Sequence, residues 1–523
     1  MVMDWDVPVR VRDGTALRVN VFRPADGKPV PVIMSAHPYG KDRIPARTRG
    51  GKGLNLQYRL FPQPAPVRIS ELTSWEAPDP GWWVPNGYAV VNADLRGGGT
   101  SEGVDDLLSD AEADDYHDLI EWAGTQPWSD GRVGLCGVSY LAISQYKAAA
   151  TRPPHLGAIC PWEGFSDLYR DFARPGGGRE DGFTIVWSKG TRRTARVAGD
   201  LRAEIVRRPQ LDEWYQERIP VLDRIDVPML ECGSFSDHSL HSRGSFEAFR
   251  RAGSQRKWLT THRGGKWSTF YSQEAKDEQL RFFDHVLKGM DNGWEQRPAV
   301  TVAVHDAGPE PVETFGAESW PPPDLEWVTL HLDPASGRLG RDVPPAGSGS
   351  FWTGRRGTRL RFVWDVTSRV DVVGPMAARL NVSLSGDDAL IFAAVRKERG
   401  GREVLFEGSY GFGRDVVTRG WQRLAHRDID PVLSEPWQPV HTHHRVEPLR
   451  PGEVTSVEIA LLPHATRFEA GDRLIFDLQG HWLFPREPLR GQLPAGYQRG
   501  PGVTCTLHGG QQYPSTLLVG LRR

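Results

Sequence analysis

The chain has 523 residues, with 64 Lys and Arg against 66 Asp and Glu, which gives a formal net charge of −2 at pH 7. This near-neutral balance argues against a partner with many negative charges, such as nucleic acid or an anionic membrane. No apolar run reaches the roughly 18–20 residues needed to span a bilayer. The N-terminus carries no secretion signal, and few, unclustered cysteines indicate buried thiols, so we expect a cytoplasmic protein. The four are Cys136, Cys160, Cys232 and Cys505.

The chain changes character near residue 295. Before it, strand-like runs alternate with helical segments, which predicts an α/β domain with a mostly parallel sheet over 1–161 and 220–295. The segment 162–219 interrupts this alternation, and we interpret it as a mainly helical cap over the carboxyl ends of the strands. A surface excursion without a substrate role is the alternative. Short alternating strands with turn signals fill 296–523 and predict a β-sandwich domain.

A buried strand, a tight turn and a helix meet at Ser139. The apolar run 133–136 predicts the strand, and the Ala-rich stretch 139–150 predicts the helix. The turn Gly137-Val-Ser-Tyr140 between them has the pattern of a nucleophile elbow, which exposes the serine hydroxyl in a cleft. It also points the next backbone N–H groups toward any anion that forms there. A serine in an ordinary strand-to-helix turn is the alternative.

An acid and then a histidine follow Ser139, in the order that such an elbow requires. Asp237 comes after the strand-like run 227–233, and His262 ends the run 256–262 before a glycine turn. Each precedes a helix-like segment, so we expect nucleophile, acid and base to converge at one edge of the sheet. The rival candidates for the base are His238, His241 and His285.

The predicted oxyanion site needs two hydrogen-bond donors. One is the backbone N–H of Tyr140, directly after the serine. The second is expected from the loop after strand 30–36, where the phenol of Tyr39 can donate to a developing oxyanion. A ring packed at the base of the loop is the alternative for Tyr39, and a structural histidine is the preferred interpretation of His37.

Aromatic residues in segments expected to border the cleft favour a bulky acyl or alcohol group, although core packing explains each of them equally well. The candidates for substrate contact are Trp75, Trp82, Trp83, Trp162, Phe165 and Trp187. Clustered carboxylates could pair with a free α-amine on the substrate. Glu163, Asp167 and Asp171 could supply them, but a solvated helix face is the preferred interpretation.

Together these motifs resemble the cocaine-esterase and X-prolyl dipeptidyl-peptidase group of serine hydrolases, which includes α-amino-acid ester hydrolases and glutaryl-cephalosporin acylases. The motifs that carry the resemblance are Pro38-Tyr-Gly-Lys-Asp42, Asn92-Ala-Asp-Leu-Arg-Gly-Gly-Gly-Thr-Ser-Glu-Gly103, Gly137-Val-Ser-Tyr-Leu-Ala142, Ser166-Asp-Leu-Tyr-Arg170, Gly233-Ser-Phe-Ser-Asp237 and Phe282-Phe-Asp-His-Val-Leu-Lys-Gly289. Two positions depart from the family pattern: Ala142 stands where the elbow usually ends in glycine, and Leu259-Thr-Thr-His262 replaces a Gly-Pro-Trp-x-His run.

The resemblance implies an α/β-hydrolase fold with a C-terminal jelly-roll domain, and a triad of Ser139, Asp237 and His262 with Tyr39 and Tyr140 at the oxyanion. It implies cleavage of an ester or activated amide through an acyl-enzyme, with an X-prolyl aminopeptidase as the alternative. No cofactor and no metal are expected, and the expected partner is a small ester or amide substrate. We expect the C-terminal domain either to wall one side of the cleft or to mediate self-association into a homo-oligomer. A catalytically silent binding module is a further alternative.

Overall fold

The computed structural model describes residues 1–44, 61, 63–238, 240–354, 357–484, 496–500 and 502–523. Ten strands form the first of its two main sheets. They are β1 (Val2–Arg10), β2 (Ala16–Arg23), β3 (Val30–His37), β4 (Ala89–Asp94), β5 (Ser129–Val138), β6 (Leu156–Trp162), β7 (Met229–Ser234), β8 (Lys257–His262), β9 (Val300–Val304) and β10 (Glu313–Ala317). Their order is β1-β2-β4-β3-β5-β6-β7-β8-β9-β10. The strands from β4 to β9 along this order are parallel, which confirms the predicted α/β architecture.

Helices connect these parallel strands. They are α1 (Pro80–Trp83), α2 (Asp110–Gly124), α3 (Tyr140–Ala150), α4 (Phe183–Thr191), α5 (Leu201–Arg207), α6 (Glu213–Glu217), α7 (Ser242–Arg251), α8 (Lys266–Phe270) and α9 (Gln273–Val286). The longest two begin at serine N-caps, because Ser109 accepts a hydrogen bond from the N–H of Glu112 and Ser272 from that of Ala275. No helix within the described ranges is both long and apolar enough to cross a bilayer.

Between β6 and β7 the chain is mainly helical. It contains a short π-helix (Leu168–Ala173) followed by α4, α5 and α6. The carboxylate of Asp167 caps the π-helix by accepting from the N–H groups of Tyr169 and Arg170. This segment leaves the sheet at the carboxyl end of β6, where Ser139 also lies because β5 and β6 are parallel neighbours. It crosses to the opposite edge of the sheet before the parallel strand β7 begins.

The C-terminal part is all β. Its strands are β11 (Glu326–Asp333), β12 (Arg338–Gly340), β13 (Gly347–Trp352), β14 (Arg359–Asp365), β15 (Val370–Leu384), β16 (Leu390–Arg399), β17 (Arg402–Val404), β18 (Phe406–Gly408), β19 (Gly411–Asp415), β20 (Thr418–Arg423), β21 (Thr455–Phe468), β22 (Arg473–Gln479), β23 (Thr504–Gly509) and β24 (Thr516–Arg522). Twelve of them form the second sheet, and β18 pairs only with β19 among the strands of the described chain. A separate apolar cluster fills this part, so the predicted all-β C-terminal domain is confirmed.

Strand pairing does not follow the predicted boundary after residue 295. β9 pairs with β8 in parallel, and β10 pairs with β9 antiparallel, so the first sheet continues to Ala317. The sequence assigned the run 300–304 to the β-sandwich because it follows the last helix of the α/β alternation. A short parallel edge strand and a sandwich strand have the same apolar pattern, and only hydrogen bonding separates them.

The all-β domain packs against the carboxyl end of the first sheet. The buried guanidinium of Arg263, just after β8, donates to the carbonyl oxygens of Val416 and Val417. The turn between β18 and β19 also reaches this edge, where Ser409 N–H donates to the carbonyl of Ser236 and Lys266 N–H donates to the carbonyl of Ser409. These contacts place Ser409 and its neighbour Tyr410 beside the residues that follow β7 and β8.

Candidate active site

Ser139 lies at the apex of a sharp turn between β5 and α3. Its backbone has φ 62° and ψ −116°, a left-handed conformation that costs free energy for a residue with a side chain. Gly137 makes the turn sterically feasible, because a Cβ at this position would lie 2.5 Å from the Cβ of Leu141. The strained serine is held by its N–H, which donates to the carbonyl of Trp162 at 3.0 Å. This is the strand–turn–helix context that a nucleophile elbow requires.

The alanine at the end of the elbow is accommodated by a glycine on the next strand connection. Ala142 is fully buried, and a Cβ on Gly164 would lie 2.9 Å from its methyl carbon. The absence of a side chain at Gly164 therefore makes room for the methyl group of Ala142.

The imidazole that contacts Ser139 belongs to His241. Ser139 Oγ lies 3.2 Å from His241 Nε2, and His241 Nδ1 lies 2.5 Å from Asp237 Oδ2. Asp237 follows β7 directly, and His241 is four residues further on, at the N-terminus of α7. All three side chains are buried or nearly so, which removes water from their hydrogen bonds. Ser139 and Asp237 thus lie where the sequence places them.

The predicted contact between His262 and Ser139 is wrong. His262 ends β8 as expected, but its Nε2 lies 3.1 Å from Glu163 Oε1, and its Nδ1 accepts from the N–H of Gly264. Its ring also packs against Trp162, with a centroid separation of 5.9 Å. The physical reason lies in the chain after β7, which forms one helical turn from Asp237 to His241, with the N–H of His241 donating to the carbonyl of Asp237. This turn places the imidazole of His241 at the serine, in the position predicted for His262.

Lys266 provides a positive charge next to this acid and base. Its Nζ lies 2.7 Å from Asp237 Oδ2 and 3.9 Å from Glu163 Oε2. Burial by itself would raise the pKa of Asp237, but Lys266 and then His241 outweigh burial and hold that pKa well below its usual range. For His241, burial and then Lys266 outweigh Asp237, so the pKa of the imidazole is lower than its ordinary value. Asp237 is therefore ionised and His241 neutral at pH 7.

Three of these residues could also offer ligand atoms to a metal ion. Atoms of Glu163, Asp237 and His241 lie within 4.8 Å of one another. The ammonium of Lys266 already lies beside both carboxylates, so a divalent cation would have to displace a buried lysine. The residues fit a hydrogen-bond network around a buried ammonium better than a metal site.

Tyr39 and Trp187 lie on the other side of the serine. The indole N–H of Trp187 donates to the phenol oxygen of Tyr39 at 2.9 Å, which leaves the phenol proton available for donation. Burial, followed by the carboxylate of Glu76, raises the pKa of Tyr39 above its usual value, so the phenol stays protonated. Tyr140 begins α3, where the first N–H groups of a helix have no intrahelical acceptor. Its own hydroxyl donates to Glu112 at 2.6 Å.

A narrow, mostly apolar pocket opens onto the serine. Its lining residues include Tyr39, Ser139, Tyr140, Phe165, Trp187 and His241. Phe165 and Trp187 therefore lie where the sequence expects substrate-contacting residues. The pocket also takes Leu168, Phe172 and Phe183 from the helical segment after β6.

The other aromatic candidates lie outside this pocket. Trp75 packs edge-on against Trp267 at 5.4 Å, and Trp83, which is buried, does the same against Phe283 at 5.6 Å. The ring of Trp82 faces the ammonium of Lys276. Trp162 packs against His262 and Phe270. For these four residues the core-packing alternative describes the structure, because large aromatic side chains fill the interior as readily as they line clefts.

The fold and this site define a hydrolase of the α/β-hydrolase type. A family model for the X-Pro dipeptidyl-peptidase (S15 family) matches residues 13–204, and one for the X-Pro dipeptidyl-peptidase C-terminal non-catalytic domain matches residues 292–517. A crystal structure of a CocE/NonD family hydrolase from Staphylococcus aureus superposes with a TM-score of 0.92 at 34% identity, covering 100% of this chain and 94% of that one. The chain therefore belongs to the S15 family of serine hydrolases, which includes cocaine esterase and X-Pro dipeptidyl-peptidase relatives.

Two further comparisons set the limits of this similarity. Cocaine esterase from Rhodococcus sp. (strain MB1 Bresler) is 34% identical over 186 residues, which cover 35% of this chain and 27% of that protein. The matched segments span between 27% and 53% of the length of the curated relatives. An α-amino acid ester hydrolase has the same fold, with a TM-score of 0.72 at 17% identity over 100% of this chain and 96% of that one.

Proposed function

We propose that the protein cleaves an acyl ester through an acyl-enzyme on Ser139, with His241 as the base and Asp237 as the orienting acid. The observation that carries this proposal is the continuous contact from Ser139 Oγ through His241 to Asp237 Oδ2. We also propose that the helical segment 162–219 acts as a cap, since it supplies Phe165 and Trp187 to the pocket. The jelly-roll interpretation of the C-terminal domain stays a proposal.

In this mechanism His241 Nε2 takes the proton of Ser139 as Oγ attacks the acyl carbonyl. The carboxylate of Asp237 holds the Nδ1 proton, which keeps Nε2 free to accept, and stabilises the imidazolium that forms. The phenol of Tyr39 and the N–H of Tyr140 donate to the tetrahedral oxyanion. His241 then protonates the leaving alcohol, and water repeats the cycle on the acyl-enzyme.

An ester without a free α-amine suits this site better than an X-prolyl peptide. The carboxylates that could bind an ammonium group are already paired within the protein. Glu163 contacts His262 and faces Lys266, Asp167 pairs with Arg170, and Asp171 pairs with Arg243. Binding an α-amine would require breaking one of these buried pairs. That would leave a buried charge without its partner, which is strongly destabilising.

A substrate panel tests this assignment. We expect kcat/KM to be highest for p-nitrophenyl esters with short or medium apolar acyl chains, because the pocket is small and lined with apolar side chains. Aminoacyl esters should be poorer substrates, and Xaa-Pro anilides the poorest. Preference for the anilides would instead support the aminopeptidase alternative, and the absence of turnover with every member of the panel would support a binding module.

Tyr39→Phe should lower kcat by roughly 10²–10³-fold, equivalent to about 2.7–4 kcal/mol, with little change in KM. The phenol would donate mainly in the transition state, so its loss affects the chemical step more than substrate binding. Steady-state kinetics on the best ester of the panel provides the measurement.

Tyr169→Phe is the matched control, because that hydroxyl donates to the carbonyl of Pro209 instead of lining the pocket. It should leave kcat within about twofold of the wild-type value. An unchanged kcat in Tyr39→Phe would remove Tyr39 from the oxyanion site.

A further inference from the structure

Lys266 is a fully buried ammonium group that the proposed mechanism does not use. It begins α8, three residues after Arg263, and its side chain is inaccessible to solvent. Its Nζ lies 2.7 Å from Asp237 Oδ2 and 3.0 Å from His241 Nδ1. Burial opposes its charge, but Asp237, Tyr410 and the neighbouring glutamates outweigh burial and keep the pKa of Lys266 above its usual value. The lysine is therefore a permanent cation in contact with both the acid and the base.

The contact between Lys266 and His241 is between two donors. At 2.5 Å the proton shared by Nδ1 and Asp237 Oδ2 belongs to Nδ1, because the carboxylate is ionised. The ammonium of Lys266 donates to the same Oδ2 oxygen. Nδ1–H and the ammonium thus converge on one acceptor and lie 3.0 Å apart. With the proton on Nδ1, neither nitrogen can accept a hydrogen bond from the other. Any positive charge that forms on the imidazole faces an existing positive charge.

We propose that Lys266 is a positioning residue that sets the basicity of His241: it fixes Asp237 as an ionised acceptor and resists protonation of the imidazole from bulk solvent. This inference rests on the proposed function of Ser139 and His241. It predicts that the imidazole of His241 stays unprotonated at pH values where an ordinary histidine would already be protonated.

Titratable groups from several neighbouring elements contribute to this balance. Those that act on His241 or Lys266 are Asp237 after β7, Glu163 after β6, Glu76 before α1 and Tyr410 between β18 and β19. His262, at the end of β8, contacts Glu163. Glu163 acts in the opposite direction to Lys266, because its carboxylate favours the imidazolium. Ser409 links the two acids, with its hydroxyl 3.2 Å from Glu163 Oε2 and 3.4 Å from Asp237 Oδ2.

The opposite signs of Lys266 and Glu163 give a test that a purely structural role would not pass. The measurement is the pH dependence of the rate at which a fluorophosphonate modifies Ser139 in the full-length protein. The acid limb of this profile is the pH range in which the rate falls because His241 becomes protonated. In the wild type we expect its midpoint to lie below pH 6.5, the ordinary pKa of histidine. Lys266→Met should shift the limb upward by roughly 1–3 pH units, and Glu163→Gln should shift it downward.

Lys276→Met is the matched control, since this lysine lies on α9 and faces Trp82; its acid limb should coincide with that of the wild type. An unmoved limb in Lys266→Met, or shifts of the same sign in Lys266→Met and Glu163→Gln, would overturn the inference. If Lys266→Met does not fold, Lys266→Gln takes its place, and an unmoved acid limb in that variant overturns the inference. Labelling that persists in Ser139→Ala would refute the proposed function instead, so the two failures are distinguishable.

Discussion

Ser139→Ala should abolish ester hydrolysis, lowering kcat by about 10⁴–10⁶-fold while the protein stays folded. The substitution removes the only atom that forms the acyl-enzyme bond in the proposed mechanism. It changes little else, because the backbone N–H of residue 139 still donates to the carbonyl of Trp162 and the helix α3 is unaffected. The residual rate would come from the oxyanion donors and substrate binding alone.

Ser144→Ala provides the matched control for this experiment. Ser144 lies on α3, the helix that begins directly after Ser139, is buried, and approaches the carbonyl of Ala36 at 3.4 Å. We expect its kcat to stay within about twofold of the wild type, because Ser144 is not among the residues that line the pocket at Ser139. Turnover should be followed with the best p-nitrophenyl ester, and folding by circular dichroism. Undiminished turnover by Ser139→Ala would contradict the nucleophile assignment.

Much of the fold could be predicted because its signals are local. The alternation of strands and helices before residue 295 and the run of short strands after it are read directly from apolar periodicity. The elbow at Ser139 needs only neighbouring residues, since Gly137 and the start of α3 define the turn. Asp237 could be predicted as the acid because it comes after a strand. Apolar periodicity cannot show which sheet a strand joins, as for β9 and β10, because that depends on the strands they pair with.

The identity of the base could not be derived in the same way. His241 and His262 both follow strands near the same sheet edge, and chain order permits either of them. One signal was available: Asp237 and His241 are four residues apart, so a single helical turn brings the carboxylate and the imidazole together. Lys266 gave no signal, because a lysine before an aromatic run is usually at the surface. Its burial depends on Asp237, Glu163 and the turn at Ser409 meeting from distant parts of the chain.

His241→Ala should reduce kcat nearly as much as the serine variant, by about 10⁴–10⁶-fold, because a nucleophile and its base act as one unit. His262→Ala should retain kcat within roughly tenfold of the wild type. Its imidazole pairs with Glu163 at 3.1 Å and would influence Ser139 only through the charge balance around Lys266. The two histidines thus differ by at least roughly three orders of magnitude in their expected effects.

Chemical rescue distinguishes a missing base from a damaged fold. Added imidazole can enter the space left by His241→Ala, next to Ser139 Oγ and Asp237 Oδ2, and should restore part of the rate in a concentration-dependent way. The same imidazole should not accelerate Ser139→Ala, which lacks the nucleophile. The opposite pattern, an active His241→Ala and an inactive His262→Ala rescued by imidazole, would return the role of base to His262. It would also require the loops after β7 and β8 to rearrange before catalysis, because His262 Nε2 is otherwise held against a buried carboxylate.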